Sequence, residues 1–135
     1  MANILVAFDG SKQSLKALHI ACDLAEKYKT TLNLVYVLKA ELKNAPESII
    51  KAANERAQNI IKSATSKVQH RSVKIEIMDL EFGAPHEGIL NAAKLCGAST
   101  IVMGCRGLKD DDPDYFGAVS RAVFQNADCT CISVK

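Results

Sequence analysis

Unbroken apolar runs alternate along the chain with stretches in which apolar residues return every three or four positions. Ile4 to Phe8 is apolar throughout, the pattern of a parallel strand covered on both faces. From Ser11, placed to act as an N-cap, apolar residues recur at Leu15, Leu18, Cys22, Ala25 and Tyr28, which predicts a helix. Thr31 to Leu38 is rich in β-formers and reads as a second strand. Pro46 is placed to open a long second helix at its first turn, with Ile49, Ala53, Ala57, Ile60, Ala64 and Val68 as one apolar stripe. The third strand differs, because Val73, Ile75 and Ile77 alternate with Lys74, Glu76 and Met78. Alternation predicts one wet face and hence a sheet edge. Gly83-Ala84-Pro85 opens a third helix, carried by Ile89, Leu90, Ala93 and Cys96 and closed by Gly97. Thr100 to Met103 predicts a fourth strand, Gly117 to about Asn126 a short helix, and Cys129 to Val134 a fifth strand.

This strand–helix alternation predicts an α/β fold of the Rossmann-like kind, with five parallel strands, right-handed crossovers and helices on both faces. The 135 residues suit one domain spanning 1–135. Hydrophobic residues at 48% and charged residues at 24% are globular proportions, so disorder and coiled coil are excluded. No apolar run approaches the roughly 18 residues of a transmembrane helix, so no membrane partner is expected. The opening residues have no basic segment and read as a strand rather than an export signal, which predicts a cytoplasmic protein. A net charge of +2 is far from the excess of a nucleic-acid-binding domain. The five cysteines include no C-x-x-C pair, and His19, His70 and His86 sit in separate segments, so neither a metal nor a disulfide framework is expected.

In an open α/β sheet, ligands bind beyond the carboxyl ends of the strands, where the strand order reverses. Two strand ends carry suitable residues. The first strand runs into Asp9-Gly10-Ser11, where a carboxylate can accept from a ribose or help hold Mg²⁺, and can equally serve as a turn residue or helix cap. The fourth runs into Gly104-Cys105-Arg106-Gly107, followed by Gly117-Ala118-Val119-Ser120 at the start of a helix. Glycines let backbone N–H groups approach an oxyanion, and a helix N-terminus adds unpaired donors with about half a positive charge. The Ser120 hydroxyl and the Arg106 cation complete a phosphate cradle; the same glycines can also serve a turn and a cap alone. Other nucleotide signatures are absent. Gly83 to Gly88 has P-loop glycine spacing but Ile89 and Leu90 where Lys and Ser/Thr are needed, and no G-x-S-x-G elbow is present.

At these motifs the sequence resembles the universal stress protein family. The resemblance rests on Ile4 to Ser11, on Ile101 to Gly107, on Gly117 to Ser120 and on the closing strand Cys129 to Val134. It covers essentially the whole chain, and its most specific part is the G-x2-G-x9-G-x-x-S spacing met by Gly104, Gly107, Gly117 and Ser120. The resemblance implies strand order 3-2-1-4-5, with the first and fourth strands side by side. It implies ATP binding, with Asp9 on ribose or Mg²⁺ and backbone groups of Val37 on adenine. Gly104, Arg106, Gly107, Gly117, the amides of Ala118 and Val119, and Ser120 would hold phosphates. It also implies a homodimer through residues 129–134 and a role as a stress-response regulator or sensor, with an unidentified protein partner in reach.

Two features depart from that pattern. Ala118 stands where the nucleotide-binding pattern has Ser or Thr, so one hydroxyl donor worth about 1 kcal/mol is missing. Asp110, Asp111, Asp112 and Asp114 crowd the segment between the glycines, beside Pro113 and Tyr115. Their charge would repel a triphosphate unless Mg²⁺ intervened or the loop stayed outside the pocket. Both favour an alternative, a dimerising interaction module of the same family without nucleotide. No positioned base or nucleophile is visible, which leaves at most slow ATP hydrolysis. Cys129 and Cys131 share one strand face, and Cys105 sits inside the glycine turn beside Arg106, where thiol acidity tends to rise.

Overall fold

Both faces of the central strands are covered, and alternate side chains of each strand feed two separate layers of core. The computed structural model describes residues 3–38, 42, 44–69, 71–78, 81–82, 84–105 and 117–135. The elements run β1 (Asn3–Phe8), α1 (Lys12–Tyr28), β2 (Leu32–Leu38), α2 (Glu47–Ser66), β3 (Ile75–Ile77), β4 (Glu81–Phe82), α3 (Pro85–Cys96), β5 (Ala98–Gly104), α4 (Ala118–Asn126) and β6 (Thr130–Val134). The sheet order is β3-β2-β1-β5-β6 with every pairing parallel, which is the expected order of five strand positions. The alternating strand, β3, lies at an edge as expected. The short β4 is an addition to the expected elements. It pairs with β2 at Val37 and Leu38, past the end of β3, so β3 and β4 share one edge position. Two residues are too few to show any period in sequence.

On β1, Ile4, Val6 and Phe8 turn toward α1 and α2, where they meet Ala17, Leu18, Cys22 and Ile61. Leu5 and Ala7 turn the other way, toward Ile89 and Ala92 of α3 and Val123 of α4. Burying such aliphatic side chains stabilises by roughly 1.5–3 kcal/mol each. Val6 is fully enclosed, so an Asp there would strand an unpaired charge in the core.

Local signals explain the helix starts. The Ser11 hydroxyl accepts from the Ser14 N–H at 3.1 Å, and the Ser14 hydroxyl donates to the Ser11 carbonyl at 2.9 Å, so α1 is capped as its sequence predicts. Gly97 closes α3, also as predicted. Pro46 sits one residue earlier than expected, at the cap of α2 rather than in its first turn, and its carbonyl accepts from Ile49 and Ile50. The apolar stripe of α2 needs correction at its start. Ile49 is 50% exposed, and no residue from 47 to 56 is fully buried; burial begins at Ala57 and continues through Ile61, Ala64 and Val68. Tyr28, the last apolar position expected on α1, is also exposed, beside Lys27 at the helix end. After α2, Arg71 donates to both carboxylate oxygens of Glu26, at 2.9 Å each, and to Asp23. This ties the α2–β3 connection to α1. Among the described residues no helix is long and apolar enough to cross a membrane.

Candidate functional site

The helix that follows β1, α1, packs on one face of the sheet, and α4, the next helix after β5, packs on the other. Because these two strands are neighbours, their carboxyl ends form a switch point, where an open α/β sheet offers a crevice for ligands. Asp9 stands on one wall, half-buried, and its Oδ1 accepts the Ser11 N–H at 2.8 Å. That bond is the turn role foreseen for an Asp after a strand, and among the described residues it leaves the second oxygen open. Gly10 follows with φ of +86°, and a Cβ there would meet Cγ2 of Ile60 at 3.2 Å, so conformation and contact both call for glycine.

Gly104 ends β5 on the other wall. A Cβ at Gly104 would lie 2.8 Å from Gln13 Cβ and 3.3 Å from the Ser14 nitrogen, so the first turn of α1 packs directly against the end of β5. The start of α4 is anchored to the same strand end. The Ser120 hydroxyl, buried, donates to the Gly104 carbonyl at 2.8 Å. The Gly117 N–H donates to the Cys105 carbonyl at 2.8 Å, and the Cys105 N–H to the Val134 carbonyl at 2.9 Å. The amides of Ala118, Val119 and Ser120 then open α4 and have no acceptor within the helix. They can receive an anion with the helix dipole behind them.

Val37 lies one residue beyond the last β1–β2 pair, Phe8 with Tyr36, so its backbone on the β1 side is outside that ladder. The structure therefore brings Asp9, Val37, Gly104, Gly117, Ala118, Val119 and Ser120 to one end of the sheet. Arg106, Gly107 and the acidic segment, Asp110 to Asp112 with Asp114, lie outside the described residues. Sequence reasoning missed Tyr36 and Arg56. Burial pushes the Tyr36 hydroxyl up in pKa, the Asp9 charge adds to that, and Arg56 of α2 opposes it. An aromatic residue in a strand and an arginine on a helix carry no local signal that they meet.

The thiols of Cys22 and Cys105 are buried and those of Cys96, Cys129 and Cys131 partly so. Cys105 is 2% exposed, which closes it off from solvent despite its place in the glycine turn. Burial pushes the Cys22 thiol up to about 11 and raises those of Cys96, Cys129 and Cys131. The Cys131 thiol donates to the Cys129 carbonyl at 3.6 Å. Neutral, enclosed thiols are poor nucleophiles. Among the described residues no group of three or more His, Cys, Asp or Glu side chains is placed to hold a metal ion.

An open parallel sheet with an acidic turn and a glycine-capped helix at its switch point defines a doubly wound α/β protein. Within that class the particular family is clear. The model of the universal stress protein family matches residues 1–135, and the chain belongs to that family. It is 30% identical to the universal stress protein YxiE of Bacillus subtilis, over 98% of this chain and 97% of that protein. The structure of universal stress protein UspA from Lactobacillus plantarum superposes with a TM-score of 0.88 at 22% identity, covering 99% of this chain and 97% of the other. A universal stress protein from Archaeoglobus fulgidus, solved in complex with dAMP, superposes with a TM-score of 0.76 at 24% identity, covering 100% and 98%.

Proposed function

We propose that this chain binds an adenine nucleotide, ATP with Mg²⁺, between the Asp9 turn and the start of α4. We propose further that it works as a dimeric cytoplasmic regulator or sensor of stress rather than as an enzyme. The observation that carries the reading is the packing of Gly104 against the first turn of α1 together with the Ser120–Gly104 hydrogen bond. These two contacts set the acidic turn and the open amides of α4 at one strand end. Asp9 keeps one carboxylate oxygen for a ribose hydroxyl or Mg²⁺, a cation commonly held by one or two carboxylates and the phosphates themselves. Val37 offers its backbone to adenine. Gly104, Gly107 and Gly117 let the chain approach the phosphates, the amides of Ala118 and Val119 donate to them, and Arg106 supplies charge. Ser120 contributes its amide, since its hydroxyl proton is already given to Gly104. The dAMP held by the Archaeoglobus fulgidus relative supports an adenine ligand.

The dimer would form through residues 129–134, because β6 pairs only with β5 among the described residues and leaves its outer edge for a second copy. The sequence offers no positioned base or nucleophile beside the phosphates, so any hydrolysis would be slow. Ala118, which lacks the hydroxyl of the nucleotide-binding pattern, favours a second reading as an interaction module without nucleotide.

Calorimetric titration with ATP, with and without Mg²⁺ and with AMP as control, separates the two. Micromolar Mg·ATP binding that Gly117→Val abolishes, at an unchanged circular-dichroism spectrum, is the expected result. No heat up to millimolar ATP from protein free of carried-over ligand would leave the interaction module.

A further inference from the structure

A second cleft lies on the other side of the Asp9–Gly10–Ser11 turn, between α1 and α2. Helix α1 covers β1 and β5 while α2 covers β2, and the two helices leave a trough of about 650 Å³ between them. That volume falls within the roughly 300–1,000 Å³ typical of small-molecule sites. The floor is apolar, made by Phe8 at the end of β1, Leu15 of α1, and Ile60 and Ala64 of α2. Ile60 lies close over Gly10, where an added Cβ would come within 3.2 Å of its Cγ2.

One wall is polar and its composition is one-sided. Arg56, Asn59, Ser63 and Lys67 line the cleft at steps of three and four, so they form a single stripe along α2. All four side chains can donate hydrogen bonds, Asn59 and Ser63 can also accept them, Arg56 and Lys67 are cations, and all four are exposed rather than spent in the core. Neither Arg56 nor Lys67 has an ion pair among the described residues, and Glu55 is the one acid lining the cleft. Arg56 and Lys67 stand about 16 Å apart along the helix, bracketing the apolar floor.

We infer that this trough is a binding site for an elongated apolar monoanion, an aliphatic or aromatic carboxylate. Its body would lie on Phe8, Leu15, Ile60 and Ala64 and its charge would be met by the cations of α2. An apolar floor beside a stripe with a cation at each end fits that chemistry and disfavours a cation.

The test is a fluorescence titration of the full chain with anilinonaphthalene sulfonate, a probe with an apolar body and one acid group. Saturable enhancement at one probe per chain is expected, displaced by decanoate at least about tenfold more effectively than by decanol. Two variants at exposed positions leave the core intact. Ser63→Trp fills the trough, and Arg56→Gln with Lys67→Gln removes its charge; each should weaken probe binding about tenfold at an unchanged circular-dichroism spectrum. Enhancement that does not saturate, that both variants retain in full, or that Mg·ATP displaces would overturn the proposal, the last by placing the probe in the strand-end cleft.

Discussion

Gly104 and Gln13 belong to elements on opposite sides of the cleft, yet a single Cβ added to Gly104 would come within 2.8 Å of Gln13 Cβ. The first turn of α1 therefore rests on the end of β5, and the two walls of the candidate site share one contact. Gly104→Ala must push α1 away, because the nearest atoms are a Cβ and backbone rather than the far end of a flexible side chain. Overpacking of this kind costs about 1–3 kcal/mol, which urea denaturation would register as a lower midpoint at an unchanged slope. A wild-type midpoint would show that α1 can shift without strain.

Much of this arrangement was legible in the chain itself. The unbroken Ile4–Phe8 run marked a strand covered on both faces and the alternation of Val73, Ile75 and Ile77 placed another at the edge, because burial on two faces or one leaves different periods, while the order of the strands came from the family resemblance. Ser11 and Gly97 declared helix ends through their own chemistry. Ile49 misled, because a period records which face of a helix is apolar and not where along its length the helix meets the sheet. At the site, the glycine spacing pointed to Gly104 and Gly117, but the tertiary reason for Gly104 lies in Gln13, 91 residues away in sequence. Tyr36 and Arg56 were invisible for the same reason, and so was the trough between α1 and α2.

Lys29 ends α1 with φ of +53°, a left-handed conformation that a side chain bearing a Cβ adopts at a cost of about 1–2 kcal/mol. Its N–H still accepts the capping duty, donating to the Ala25 and Glu26 carbonyls. Lys29→Gly keeps that cap and relieves the backbone, while adding some chain entropy to the unfolded state. A net gain of about 0.5–1 kcal/mol is expected in thermal or urea unfolding. A loss would mean that the Lys29 side chain contributes more than its backbone strain removes.

Ala118 is exposed at the first position of α4, its amide has no acceptor within the helix, and its side chain carries no hydroxyl. Ala118→Ser adds a donor where phosphate would sit, worth about 1 kcal/mol, or roughly fivefold in affinity. Calorimetry should show Mg·ATP binding tightened by that factor and AMP binding changed less. Equal tightening of both would place the new hydroxyl near the ribose or the first phosphate instead.

Cys22 is fully buried in α1, and burial moves its thiol from the ordinary 9.0 up to about 11. Above pH 9 the unfolded chain releases this proton while the folded chain retains it, so stability is fully present below about pH 9 and declines as pH rises toward 11. The raised thiols of Cys96, Cys129 and Cys131 act in the same direction. Urea midpoints measured across that window should fall, and Cys22→Ala should flatten part of the decline whatever it does to stability at neutral pH. An unchanged slope in the variant would assign the alkaline loss to other groups.

The outer edge of β6 bears on assembly. Thr130 is exposed and Ile132 only partly buried against the α1 face of the core, and among the described residues the backbone of the strand pairs on its β5 side alone. Such edges are usually covered or charged, and this one carries no charge between Thr130 and Val134. A second copy pairing there across a two-fold axis would cover both edges at once. Thr130→Lys places like charges near each other in that dimer without touching the core, and Ile132→Lys adds a charge deeper in the strand. Both should shift sedimentation or light scattering from dimer to folded monomer, with Thr130→Lys raising the dissociation constant at least about tenfold. If Thr130→Lys alone leaves a dimer, charge at that position is too far from the axis. If Ile132→Lys also leaves one with its circular dichroism intact, the contact between copies lies on another face.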